Sequence, residues 1–132
     1  GAILVVCLVV QIITGVVLPL APATSAYREA REKQSFDWGL VSAAVSVRLR
    51  GDVVEDARVC LGNVSPVPHR SREAEEVLRG SKLDEALAAK AATVAFERAH
   101  PLTHNAYKVP LGRALLRRTI LAAGGRAEAG GV

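Results

Sequence analysis

Two runs of alternating residues, set three residues apart, constrain this chain most. In the stretch WGLVSAAVSVRL, Val41, Ala43, Val45, Val47 and Leu49 alternate with small or polar residues. In VVEDARVCLG, Ala57, Val59 and Leu61 do the same. Period two is the mark of a strand with one buried face. Arg50-Gly51-Asp52 joins the runs, and Gly51 can take the positive φ that a tight turn needs, so the pair predicts a β-hairpin. The Arg-Gly-Asp triplet spells an adhesion motif, but a turn explains it more simply. A hairpin has one apolar face to bury, and the sequence after it is helical in pattern. Strands first and helices after predict an α+β domain, a small antiparallel sheet with helices on one face.

The helical half divides at its breakers. GNVSPVPHR, residues 62–70, carries two prolines and reads as a connector. SREAEEVLRG predicts a short helix that Gly80 ends. SKLDEALAAKAATVAFERAH predicts a longer one, capped by Ser81 with Asp84 as a capping-box-like partner and closed by Pro101. Its apolar face is expected at Leu83, Leu87, Ala91 and Val94. NAYKVPLGRALLRRTILAAGG predicts a third helix with Leu111, Leu115 and Ile120 or Leu121 on its buried side. Pro110 belongs in its first turn or kinks it, and Gly124-Gly125 ends it. Before the hairpin, YREAREKQSFD (27–37) reads as an exposed loop or an edge strand.

The chain opens on GAILVVCLVVQIITGVVLPL, twenty residues without a charge, which is long enough to cross a bilayer as a helix. Its Val and Ile content favours strands, Gln11 and Gly15 interrupt it, and Pro19 stops it. The first basic residue is Arg28, so the charged flank that a signal or anchor wants is absent from the stretch before it. The small-residue sites Ala21-Pro22-Ala23 and Thr24-Ser25-Ala26 keep a secretory signal as the competing reading. Buried strand and extended connector are the expectation.

Composition narrows the chemistry. The 132 residues fit one domain, and with only five aromatics the core must be built from Val, Leu and Ala. The net charge of +4 comes from basic residues spread along the chain, with no aromatic-interleaved stripe to suggest nucleic acid. Cys7 and Cys60 lie in apolar runs and are expected as buried thiols. No GxSxG elbow, CxxC pair or glycine-rich phosphate loop occurs. His100 and His104 are four apart, but Pro101 between them breaks the helix that would align them on a metal. Glu73, Glu75, Glu76, Asp84 and Glu85 read as solvated helix faces or N-terminal charges. These readings describe a domain with no self-contained active site.

Three segments in order carry a resemblance: SAYREAREKQSFDWGLVSAAVSVRL, VCLGNVSPVPHRSREAEEVLRG and HNAYKVPLGRALLRRTIL. Together they resemble the C-terminal domain of the FAD-binding (medium) subunit of molybdenum hydroxylases, the carbon monoxide dehydrogenase and xanthine dehydrogenase group. The resemblance covers residues 11–122, with QIITGVVLPL similar to the strand leading into that domain. Residues 1–10 depart from it as an atypical strand or foreign start, and 123–132 are expected as a disordered tail. It implies an α+β fold of three or four antiparallel strands on a three-helix bundle. It also implies a place in an electron-transfer chain, where this domain closes over FAD held mainly by a separate, glycine-rich domain. Carried over by position, Asp37 in SFDW is the candidate cofactor-binding residue, and a turn cap before the strand is its structural alternative. Arg31 and Lys33 flank it, and Arg70 and Arg72 are weaker candidates to face flavin or a neighbouring subunit. The resemblance implies no catalysis by this chain alone, no metal site and no FAD held by it alone. Expected partners are an FAD-binding domain, other subunits of a molybdenum hydroxylase, or a second copy in a homodimer, in the cytoplasm. The competing reading is a stand-alone interaction module that has lost flavin.

Overall fold

The computed structural model describes residues 23–33 and 37–126. Among these residues four strands, β1 (Thr24–Ala30), β2 (Val41–Arg50), β3 (Val53–Gly62) and β4 (His69–Arg70), precede three helices. The helices are α1 (Arg72–Leu78), α2 (Glu85–Ala95) and α3 (Lys108–Ala123). The strands form one antiparallel sheet in the order β1-β2-β3-β4. This is the α+β architecture that the segregated strand and helix patterns predict. The opening apolar run, including Cys7, and residues 127–132 lie outside the described residues. No helix among the described residues is long and apolar enough to cross a membrane.

The hairpin forms as its alternation requires. Val45 faces Val59 and Val47 faces Ala57, and Gly51 sits at φ +64° in the turn. The register slips between Arg48 and Leu49, where a bulge puts an extra residue on β3. The bulge is why Val54 and Ala57, three apart, both reach the core. On β1, residues 27–30 extend a strand that starts earlier, at Thr24, and Thr24 Oγ1 donates to the carbonyl of Ala123 at the end of α3. The two-residue β4 was hidden in a proline-rich connector and pairs Arg70 with Cys60.

Helix α3 lies across β1 and β2, α1 packs on β3, and α2 bridges the other two helices. Between the layers Val45, Val59, Leu61, Leu78, Leu83, Leu116 and Ile120 are at most 2% exposed. Burying each such side chain is worth about 1.5–3 kcal/mol, so this layer drives folding. The third helix keeps its expected face in part. Its C-terminal half buries Ile120 and Leu121 as expected, with Thr119 and Ala123, but its N-terminal half buries Gly112 and Leu116 while Leu111 and Leu115 are only half-buried. Pro110 sits in the first turn, where its missing N–H has no helical partner to lose.

The start of α2 corrects the expected cap. Asp84 is the N-cap, its Oδ1 accepting from Leu87 N at 2.7 Å. Ser81 lies outside the helix because residues 81–83 run along the hairpin. Lys82 bridges to Val53, Val54 N donates to Ser81 O, and Leu83 N donates to Asp52 O. Asp84→Ala is therefore expected to cost about 1 kcal/mol and Ser81→Ala under about 0.5, read by urea unfolding.

Candidate functional site

At one end of the sheet β1 ends, β2 begins and β3 ends, and the described residues 31–33 and 37–40 lie there between β1 and β2. Leu40 N donates to Ala30 O at 2.8 Å. There the Asp37 carboxylate accepts from Lys33 N at 3.2 Å and from Trp38 N at 3.0 Å. The carboxylate thus ties its own turn. Each oxygen spends one lone-pair direction on an N–H and retains acceptor capacity for a donor from outside. Trp38 follows immediately and is 91% exposed.

Gly39 completes the turn for a steric reason. A Cβ there would lie 1.8 Å from Glu29 Oε1 and 2.9 Å from the Asn63 side-chain nitrogen. Glu29 is held in that position by Arg31, whose Nε and Nη2 donate at 2.9 and 2.6 Å. The hydrogen bonds and charge of Glu29 raise the Arg31 guanidinium further above its ordinary value. Arg31 is therefore engaged within the loop, while Lys33 contributes its backbone N–H to Asp37.

Arg70 and Arg72 are placed elsewhere. Arg70 lies opposite Cys60, which faces Ala44, which faces Tyr27, so it sits three strand spacings from β1, roughly 14 Å. Its Nε and Nη2 donate to Glu75 at 2.7 and 2.8 Å. Glu75 is not the solvated helix residue its charge suggests, being 2% exposed and accepting also from Val59 N at 3.0 Å. Burial pushes its carboxyl up, but the Arg70 hydrogen bond, the Val59 N–H and the charges of Arg70 and Arg58 outweigh that and leave it below its ordinary value. Arg72 opens α1 on the exposed side.

The sheet face away from the helices carries a groove of about 530 Å³, lined by Ser25, Tyr27, Ala44, Ser46, Cys60 and Arg70 among others. Cys60 is thus half-buried on this face, with a free thiol, rather than in the core. The pleat decides this, because Val59 and Leu61 take the inward positions. His100 and His104 are exposed in the α2–α3 connection, and no metal-suited group of three or more His, Cys, Asp or Glu occurs among the described residues. Nor do the described residues offer a glycine-rich turn feeding a helix, the device that cradles a pyrophosphate.

A family model described as the CO dehydrogenase flavoprotein C-terminal domain matches residues 25–123. The nicotine 6-hydroxylase medium subunit of Paenarthrobacter nicotinovorans is 32% identical over 120 residues, covering 88% of this chain and 42% of that protein. The glyceraldehyde dehydrogenase medium chain of Sulfolobus acidocaldarius is 26% identical over 77 residues, 58% of this chain and 27% of that one. Among solved structures, quinoline 2-oxidoreductase from Pseudomonas putida 86 superposes with a TM-score of 0.74 at 29% identity, over 78% of this chain and 37% of that chain. Carbon monoxide dehydrogenase from Hydrogenophaga pseudoflava gives 0.73 at 28%, over 81% and 38%. The chain spans less than half the length of each of these relatives.

Proposed function

The chain belongs to the CO dehydrogenase flavoprotein C-terminal domain family, and from that premise we propose that it forms one wall of a flavin site in a molybdenum-hydroxylase electron-transfer chain. The observation that carries this reading is the Asp37–Trp38 pair. Asp37 is fixed by two backbone N–H groups yet retains acceptor capacity, and Trp38 stands in solvent beside it. Bound flavin supplies the redox chemistry in such a chain. Asp37 accepts from a polar edge of the ring and places negative charge beside it, which disfavours adding further negative charge there. Gly39 and the Glu29–Arg31 pair pack together beside Asp37 and Trp38, which supports a surface arranged before binding. The pyrophosphate and most of the affinity come from a separate FAD-binding domain, with the other subunits of the enzyme as partners.

The test is an FAD titration of the whole chain mixed with a separate FAD-binding domain of a medium subunit, read by quenching of Trp38, the sole tryptophan of this chain, and by the visible flavin spectrum. Saturable quenching is expected, weakened about tenfold by Asp37→Ala, or ~1.4 kcal/mol, at the lower end for a hydrogen bond to a charged group. Asp37→Asn should fall between, because its amide oxygen still accepts. Absent or unsaturable quenching would favour the second reading, an interaction or dimerisation module. That reading draws on the same carboxylate, since both its oxygens already tie the turn.

A further inference from the structure

Beside the Asp37 loop, across Asn63, a second surface opens between the β3–β4 connection and the α2–α3 connection. Two hollows of about 220 and 110 Å³ adjoin there and share Val64, Phe96, Ala99 and His100. The floor is apolar, with the Phe96 ring at its base. The rim is cationic or basic: Arg98 and His69 line the larger hollow, Lys108 the smaller, and His100 both. No Asp or Glu lines either hollow among the described residues. Arg98 reaches Glu73 at 3.6 Å with its side chain still 88% exposed, and Lys108 Nζ donates to Asn63 O at 3.4 Å. Val67, Leu102 and Tyr107, on the same two connections, are 69%, 75% and 51% exposed. They are three of the six large hydrophobics that the described residues leave in solvent, and they flank the hollows along the chain without lining them.

We propose that this groove docks an acidic segment of a partner polypeptide, with one apolar side chain set over Phe96. An apolar floor inside a rim of one sign is the pattern of a recognition site in which the anchor gives affinity and the rim gives partner choice and on-rate. The positive rim selects negative charge. The floor distinguishes a peptide from a phosphate backbone, which would need more cations in line and gains nothing from Phe96. None of the groove residues belongs to the Asp37 loop, so this proposal and the flavin reading fail separately.

The experiment uses the whole chain and fluorescein-labelled heptapeptides read by anisotropy: acidic with a central Phe, the same with Ser for Phe, and a lysine-rich counterpart. The acidic Phe peptide is expected to bind saturably. Affinity should fall at least tenfold with the Ser peptide, with Arg98→Glu alone, and with Arg98→Glu plus Lys108→Glu. It should hold in Lys90→Glu, a reversal on exposed α2 surface away from the groove. Far-UV circular dichroism checks that each variant stays folded, and Arg98→Glu, at an exposed side chain, is the variant on which the conclusion rests. Equal binding by wild type and Arg98→Glu, equal binding of the lysine-rich peptide, or no binding up to about 1 mM would overturn the proposal. So would single-stranded DNA binding more tightly than the peptide in the same assay. A concentration-dependent dimer in sedimentation, abolished by Arg98→Glu, would assign the groove to a second copy and overturn it equally.

Discussion

Replacing Glu75 by Ala is expected to lower the stability of the domain by about 3 kcal/mol, the largest single effect anticipated here. The reason is the outer edge of β3. β4 is two residues long and covers only Cys60 and Leu61. At the far end Gly80 N and Ser81 O pair with Val54. Between these two, the N–H of Val59 has no strand beside it, and the Glu75 carboxylate, reaching down from α1, accepts it at 3.0 Å. Ser71 N donates to the Val59 carbonyl at 3.0 Å, so helix start and carboxylate together replace a missing strand. Alanine at 75 leaves the Val59 donor unpaired, which costs about 1–3 kcal/mol, and dissolves a bidentate pair with Arg70. Breaking a fully buried pair costs about 3–5 kcal/mol; Arg70 keeps 46% of its side chain in water, which places the sum near the lower end. Glu75→Gln should lose less, since its amide oxygen still accepts from Val59. Urea unfolding followed by far-UV circular dichroism measures this, because Trp38 at 91% exposure reports little of the core. A loss below about 1 kcal/mol would mean that water takes over the Val59 N–H.

The same carboxylate sets an acid limit. Its folded-state value lies below the ordinary one, so the unfolded chain binds the proton more tightly. The stability it supplies is complete above about 4.3, the unfolded glutamate value, and is lost as pH falls below that through the folded value. Wild type should therefore lose stability more steeply below that point than Glu75→Gln, which has no carboxyl to protonate at 75.

How far the sequence foretells this molecule depends on the length scale of the cause. The hairpin was legible because period two and a glycine turn are local, and so were the three helices. Asp84 as the cap in place of Ser81 was not legible, because the competing partner of residues 81–83 is the hairpin edge, thirty residues earlier. The changed face in the N-terminal half of α3 has the same origin: which leucine faces inward is set by β1, β2 and α2 together, and Leu111 and Leu115 satisfy the pattern as well as Leu116 does. Glu75 was missed because charge in a helix reads as solvated, and nothing local announces an unpaired β3 edge. Asp37 was reached by resemblance, and its position on a turn before β2 was legible locally. The groove over Phe96 had no sequence signal, since its rim comes from His69 in β4, Arg98 and His100 in the α2–α3 connection and Lys108 at the start of α3. Glycines offered the one unused clue. Gly39 and Gly112 sit inside otherwise regular patterns, where a close approach is the ordinary explanation.

Gly112→Ala is expected to destabilise the domain by about 2 kcal/mol, although helix propensity alone predicts a gain of about 1. Gly112 lies in α3 with an ordinary helical backbone, so no positive φ demands glycine there. What demands it is Phe96, the C-cap of α2, whose ring points its Cζ edge into the gap: an added Cβ would stand 2.4 Å from Cζ, 2.7 Å from Cε1 and 3.2 Å from Cε2. A ring edge is not a flexible tip that swings aside. Phe96 is 6% exposed and packs between two helices that other contacts hold, so the methyl must push either the ring or α2. Overpacking of that kind costs about 1–3 kcal/mol and exceeds the propensity gain. A double-mutant cycle identifies the cause. Phe96→Ala also destabilises, by a lost aromatic ring, but the pair should be less destabilised than the sum by about 1–2 kcal/mol, because the clash exists only while both groups are present. Urea unfolding of the four proteins supplies the cycle. If Gly112→Ala instead stabilises, the ring can rotate outward at small cost, and the floor of the groove is then adjustable rather than fixed. The anisotropy assay would show that difference, since a displaced Phe96 ring removes the seat of the apolar anchor while leaving the cationic rim in place.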